Sequence, residues 1–375
     1  MASLRSISFV LLSLLSLSLI LPSLANASSN GKLSFEAIYQ FGDSLSDTGN
    51  LMRDGPVGAH NPCARLPYGL TSGNNTGRCS DGQLMVDFFA DFFHMPHLNP
   101  YLKKESDSTY GLNFAVAGST ALDTDGLTAM GIINPATNKS LPVQINWFKT
   151  HLKSYCGDNA SECKQRVGNS LIIMGETGGN DYNYALLEGK SLQQLHDMVP
   201  DVVQQIKLAV KEVINLGAIR VVVPGNFPIG CMPIYLSMFQ SRDPNQYDSL
   251  KCLKGLNYFA LLHNKHLQFA IKELQAEFPH VAIVYGDYFN GLRWIIQSAT
   301  SLGFKEDGLQ KACCGDANNK YNFNMNKLCG SEGASVCANP EERYSWDGIH
   351  LTQHAYLHMA QYLLKRIVPG ILQVV

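Results

Sequence analysis

Ala37-Ile38-Tyr39-Gln40-Phe41-Gly42-Asp43-Ser44-Leu45-Ser46-Asp47-Thr48-Gly49-Asn50 changes character at one residue, Gly42. Before it, aromatic and branched side chains read as a buried strand; after it, small and polar residues read as a turn. The same step recurs along the chain. Leu171-Ile172-Ile173-Met174 runs into a Gly-rich turn, and Arg220 to Val223 stops at Pro224-Gly225. Tyr110 to Val116 and Val281 to Tyr285 read as further strands. Between them, Leu84–Phe93, Val143–Leu152, Leu256–Phe278 and Gln353–Ile367 carry apolar residues at helical spacing. So do Val199, Val202, Val203, Ile206, Val210, Val213 and Ile214, with Gly217 where a helix end belongs. Short buried strands alternating with helices of this length predict an α/β fold, with a mostly parallel sheet covered on both faces. No linker, repeat or low-complexity stretch divides the chain. A ligand site in such a sheet lies beyond the carboxyl ends of its strands. That directs attention to the loops near Gly42, Gly118, Gly178 and Pro224, and to the segment before the last helix.

Ser44 sits in the first of these loops. Read alone, Gly-Asp-Ser is a common helix cap. A nucleophile elbow of the form G-x-S-x-G is absent, because Ser46 stands where its second glycine would be. Near the other end comes Ser345-Trp346-Asp347-Gly348-Ile349-His350. A nucleophilic serine needs a base within hydrogen-bond reach, and the base needs an acceptor on its other nitrogen. His350 and Asp347 supply both types on one turn. Asn113-Phe114-Ala115-Val116-Ala117-Gly118-Ser119 and Gly178-Gly179-Asn180-Asp181 add a glycine N–H and an Asn amide, the donors that a developing oxyanion requires. His354 and His358 follow at i, i+4 spacing; lacking a third ligand group, they read as helix residues flanking the site, and no metal is expected.

The terminus begins with Arg5, continues with the apolar run Phe9–Leu21 and reaches Leu24-Ala25-Asn26-Ala27, the pattern of a secretory signal peptide cleaved near Ala27. Residues 28–375 then form a single domain outside the cytosol, with no span of the bilayer. The 10 cysteines agree with an oxidising compartment. Cys156 and Cys163, flanking a short polar loop, are the one expected disulfide pair. Asn74, Asn138 and Asn159 stand in glycosylation sequons within polar loops. A net charge of −2 offers no basic stripe for a phosphate backbone, so nucleic acid is not an expected partner.

Taken together and in this order, these blocks resemble the plant branch of the GDSL family within the SGNH-hydrolase superfamily. Phe41-Gly42-Asp43-Ser44 through Asn50, Asn113 with Gly118, Gly178 with Asn180 and Asp181, and Asp347 with His350 carry the likeness. Cys313-Cys314-Gly315 is typical of its plant members. The resemblance implies a three-layer α/β/α, flavodoxin-like fold with no cofactor, acting on a small-molecule ester. It implies Ser44 as nucleophile, His350 as base and Asp347 as triad acid. Ser44, Gly118 and Asn180 would be the oxyanion donors. Ser119 departs from the alanine frequent in the family. The runs Gly175–Tyr184 and Val223–Cys231 look most like a subgroup that includes acetylajmalan and sinapine esterases. That likeness implies an O-acetyl or other compact acyl ester of a specialised metabolite such as an alkaloid, with Tyr182 and Tyr184 stacking on the alcohol portion. Acyl transfer to an alcohol, and a lipase on longer chains, are the alternatives. Secretion leads to the apoplast or the vacuole.

Overall fold

The computed structural model describes residues 34–373, so the expected signal peptide lies outside the described residues. β1 (Ala37–Gln40), β2 (Gly111–Asn113), β3 (Ser170–Ile173), β4 (Arg220–Pro224) and β5 (Ala282–Gly286) form a 5-stranded sheet in the order β2-β1-β3-β4-β5. Every neighbouring pair is parallel. All residues of β1, β2 and β3 are buried, which is why they read as short unbroken runs rather than alternating ones.

This is the flavodoxin-like strand order. The chain leaves β1 for β2 on one side, then returns past β1 to β3 on the other, and a crevice opens where the direction reverses. The register sets the strand ends level there: Gln40 lies opposite both Asn113 and Ile173.

Helices cover both faces. α1 (Met85–Phe92), α6 (Tyr288–Gln297) and α7 (Gln353–Ile371) pack together, while α2 (Leu141–Cys156), α4 (Leu192–Asn215) and α5 (Lys254–Glu277) form the other layer. Tyr39 meets Phe148 of α2 at 4.8 Å between ring centroids, and Phe41 stacks on Phe114 at 5.3 Å. This aromatic cluster anchors the end of β1 from which Ser44 projects. The described residues from Phe35 onward fall in one compact unit.

Four local readings change. β2 is shorter than Tyr110–Val116: beyond Asn113 the Phe114 and Val116 N–H groups still reach the Gln40 and Gly42 carbonyls, while the Asn50 amide takes the carbonyls of Asn113 and Ala115, both at 2.8 Å. α4 begins at Leu192, ahead of its apolar stripe, because Ser191 and Gln194 form a reciprocal cap. α3 (Gly179–Leu187) occupies what read as an ordinary turn, and α6 follows β5 after an Asp287 cap. α3 starts on polar residues, but α6 carries an apolar stripe of Tyr288, Leu292, Ile295 and Ile296, all buried, that was there to read.

Cys156–Cys163 is joined as expected, and Cys63–Cys79, Cys231–Cys252, Cys313–Cys337 and Cys314–Cys329 complete the set. Each closes a local loop. The last two staple the short ribbon of β6 (Cys314–Gly315) and β7 (Ser335–Val336), which leads the chain back to Asp347.

Candidate active site

Ser44 caps no helix. Residues 44–46 form a turn, closed by the Ser46 and Asp47 N–H groups donating to the Asp43 carbonyl at 3.1 and 3.0 Å. The buried Asp47 carboxylate then accepts the main-chain N–H groups of Gly49, Asn50, Leu51 and Ala117, at 2.5 to 3.0 Å. Four backbone donors drawn to one side chain hold the segment as an irregular loop and tie it to the strand end that carries Gly118. Gln144 of α2 clamps Gly42 from below, bonding both its N–H and its carbonyl.

His350 closes on this turn from the far end of the chain. Its Nε2 lies 2.7 Å from Ser44 Oγ and its Nδ1 2.6 Å from Asp347 Oδ2. Asp347 Oδ1 accepts the N–H groups of Ile349 and His350, at 2.9 and 2.7 Å. With both carboxylate oxygens committed as acceptors, the imidazole carries its proton on Nδ1 and turns a lone pair toward the serine hydroxyl.

Burial raises the Asp347 carboxyl, but the facing imidazole and its hydrogen bonds win and hold it below the usual carboxylate range. Burial lowers His350, and here the Asp347 charge, its hydrogen bond and the more distant Asp43 win, lifting the imidazole above its ordinary 6.5. A base must be unprotonated, so activity is lost as pH falls through that raised value. The acid limb of kcat/KM against pH is expected to have its midpoint above 6.5. A midpoint well below would contradict the Asp347 contact.

The three groups expected as oxyanion donors, on Ser44, Gly118 and Asn180, line one cavity. Among the described residues, the N–H groups of Ser44 and Gly118 have no intramolecular partner. Gly118 has φ +82°, and a Cβ there would meet Ala136 Cβ at 2.5 Å, so the turn that presents this N–H needs glycine. Its carbonyl is pinned by Asn134 Nδ2 and the Tyr184 hydroxyl, each at 3.0 Å. Asn180, in the first turn of α3, donates to the Ser119 carbonyl at 2.9 Å and, through a longer 3.2 Å bond, to Asp43 Oδ2. The second, weaker bond is the one an oxyanion would compete for.

The family model for GDSL-like Lipase/Acylhydrolase matches residues 38–363. The chain belongs to that family. It is 43% identical over 335 residues to acetylajmalan esterase 2 of Rauvolfia serpentina, spanning 89% of this chain and 90% of that one. Sinapine esterase of Brassica napus is 42% identical over 334 residues, 88% of this chain and 85% of its own. A GDSL esterase/lipase of Arabidopsis thaliana is 43% identical, with 88% and 86% covered. This GDSL protein is accordingly a carboxylic ester hydrolase of a plant type.

The GDSL serine opens onto two lobes. The larger, about 260 Å³, is lined by His350, Gly118, Tyr184, Leu186, Met238 and Met325, among others. The smaller, about 60 Å³, lies behind Ser44 against Phe227, Ile229, Met232, Asp43 and Glu176. Ser44, Asn180, Asn183, Ile234, Tyr235 and Ile349 border both.

Tyr182 departs from the expectation. It points into the core, its hydroxyl 2.8 Å from His263 Nδ1 and its ring edge-on to Phe259, and it lines neither lobe. On α3, Tyr182 and Tyr184 are two residues apart and so face different directions. Only Tyr184 reaches the larger lobe. His354 and His358 lie off the site as well, packed on Phe304. Asn74, Asn138 and Asn159 are all exposed, Asn159 also capping the helix Ala160–Gly168.

Tyr68 was missed. Its hydroxyl donates to Asp347 Oδ2 at 2.8 Å, and it lines the larger lobe. Nothing in the local sequence singles it out; it arrives through the loop stapled by Cys63–Cys79.

Proposed function

We propose that this GDSL hydrolase cleaves compact acyl esters, acetyl above all, of a bulkier alcohol, through an acyl-Ser44 intermediate. The carrying observation is the unequal pair of lobes and the position of His350 in only one of them.

Ser44 attacks the carbonyl as His350 Nε2 takes its proton, with Asp347 holding the tautomer. The oxyanion lies toward the N–H groups of Ser44 and Gly118 and the Asn180 amide. The tetrahedral intermediate collapses when the imidazolium returns that proton to the alcohol oxygen. That step requires the alcohol to leave on the His350 side, which is the larger lobe. The acyl group then extends the other way, into about 60 Å³ closed by Phe227, Ile229 and Met232. An acetyl group fits there; an octanoyl chain does not. Water enters where the alcohol was, and His350 repeats its role to release the acid. On the alcohol side, the Tyr184 ring suits a flat or cationic group, while Met238 and Met325 adapt to irregular shapes. The Rauvolfia serpentina relative, an acetylajmalan esterase by name, supports the same division.

We further propose a secretory route ending in the apoplast or vacuole. The five disulfides suit an oxidising compartment, the three exposed sequons are open to glycosylation, and among the described residues no helix is long and apolar enough to cross a membrane.

p-Nitrophenyl esters of graded chain length, run beside O-acetylated alkaloids and phenolic choline esters, test the substrate reading. Acetate should exceed octanoate in kcat/KM, and Met232→Ala should move that ratio toward octanoate by about tenfold or more. A ratio is independent of how much variant folds. A wild-type preference for long chains would overturn the assignment of the lobes.

A further inference from the structure

Behind Ser44, two carboxyl groups meet with no cation between them. Asp43 follows β1 and Glu176 follows β3, neighbours in the sheet, and the two side chains are 3% and 4% exposed. Both line the small lobe, where no lysine or arginine is present. Each carboxyl acts on the other at close range. Two carboxylates have no proton to donate, so a hydrogen bond between them needs one proton held by the pair.

The surroundings decide which group keeps it. Burial raises the Asp43 carboxyl above its ordinary range, less than it raises Glu176, because Asp43 accepts the Leu45 N–H at 2.9 Å and the Asn180 amide at 3.2 Å and feels the His350 imidazole. Each of these contacts favours a charged Asp43. Glu176 has only the Gly179 N–H nearby as a main-chain donor, and besides Asp43 it faces Asp181. The other titratable groups around it, Tyr182, Tyr235 and Tyr288, are neutral phenols that burial holds far above their ordinary range. Burial first, and then the Asp43 charge, keep Glu176 well above the usual carboxylate range.

We propose that Glu176 is a positioning residue for hydrolysis: it donates a hydrogen bond to Asp43 and thereby sets the Asp43 carboxylate that aligns the Asn180 amide. The inference rests on the reading of Ser44 and Asn180 as the reacting site. It has a charge consequence too. A proton on Glu176 leaves the pair with one negative charge, which steadies the imidazolium of His350 as it forms. A second negative charge beside the oxyanion would oppose the intermediate.

Glutamine copies a protonated glutamate: its amide can donate to Asp43 while its carbonyl turns toward Gly179. Leucine matches the volume and offers neither bond. With p-nitrophenyl acetate at pH 7, Glu176→Gln should keep kcat within about threefold of wild type. Glu176→Leu should lose about 10- to 100-fold in kcat with little change in KM, the scale of a misaligned catalytic group. Wild type should also show an alkaline fall in kcat, as Glu176 loses its proton, that Glu176→Gln lacks. The second comparison needs only the conservative variant, so it stands even if Glu176→Leu does not fold. Equal losses in both variants, an unimpaired Glu176→Leu, or superimposable alkaline profiles for wild type and Glu176→Gln would overturn the role of Glu176 alone. Wild-type activity that survives Ser44→Ala would remove the reading of the site as well.

Discussion

Ser44→Ala should abolish ester hydrolysis, lowering kcat by about 10⁴- to 10⁶-fold, while the fold is untouched. The size follows from covalent catalysis: with the hydroxyl gone, His350 has only water to activate, and the oxyanion donors act on an uncatalysed attack. The indifference of the fold follows from the contacts. Ser44 is only partly buried, and its side chain makes a single hydrogen bond, to His350. The loop around it is held by Asp43, Asp47 and Gln144 instead. A fluorophosphonate probe and a thermal melt read the two halves separately. Wild-type protein should take the label at Ser44, and the variant should melt within a few degrees of it without labelling. Residual activity within tenfold of wild type would end the case for an acyl-Ser44 intermediate.

Asp347→Asn should cost about 10⁴ in kcat although it changes one atom. The direction comes from how the carboxylate is used. Oδ1 is fixed by two main-chain N–H donors, so the asparagine carbonyl must take that place. The NH₂ group then falls where Oδ2 stood, facing His350 Nδ1 and the Tyr68 hydroxyl. A donor at that point makes Nδ1 the acceptor and moves the imidazole proton to Nε2, pointing at Ser44. A base in that tautomer cannot accept the serine proton. The effect should appear in kcat for every substrate alike, since no binding contact changes. An Asp347→Asn enzyme within about tenfold of wild type on p-nitrophenyl acetate would show that the carboxylate is not the partner that sets the tautomer.

Much of this was readable before any coordinates, and for one reason: the groups that do chemistry sit at strand ends or in a tight turn, close in sequence to the elements that place them. Gly42 ends β1, so Ser44 had to lie over the crevice. Asp347 and His350 are three residues apart, so one turn orients both. The alternation of buried strands and amphipathic helices gave the layered fold for the same local reason. α3 escaped because its first turn is polar, whereas α6 carries a readable stripe of Tyr288, Leu292, Ile295 and Ile296 that the expected elements left out. α3 starts with Gly179-Asn180-Asp181, polar residues that bond to the loop after β2 rather than exposing themselves to water.

What sequence alone determined, then, is the reaction class and the strand pattern, and it singled out the candidate triad and donor set, all of them through residue type and short-range spacing. Tertiary structure decided the rest, because it depends on contacts between segments far apart in the chain. Tyr68 reaches Asp347 across 279 residues of sequence. Tyr182 turns inward while Tyr184 faces the cavity. Four of the five disulfides found partners that counting could not assign. Above all, Asp43 and Glu176, each unremarked beside a glycine, became a proton-sharing pair only when parallel pairing of β1 with β3 brought the two strand ends side by side.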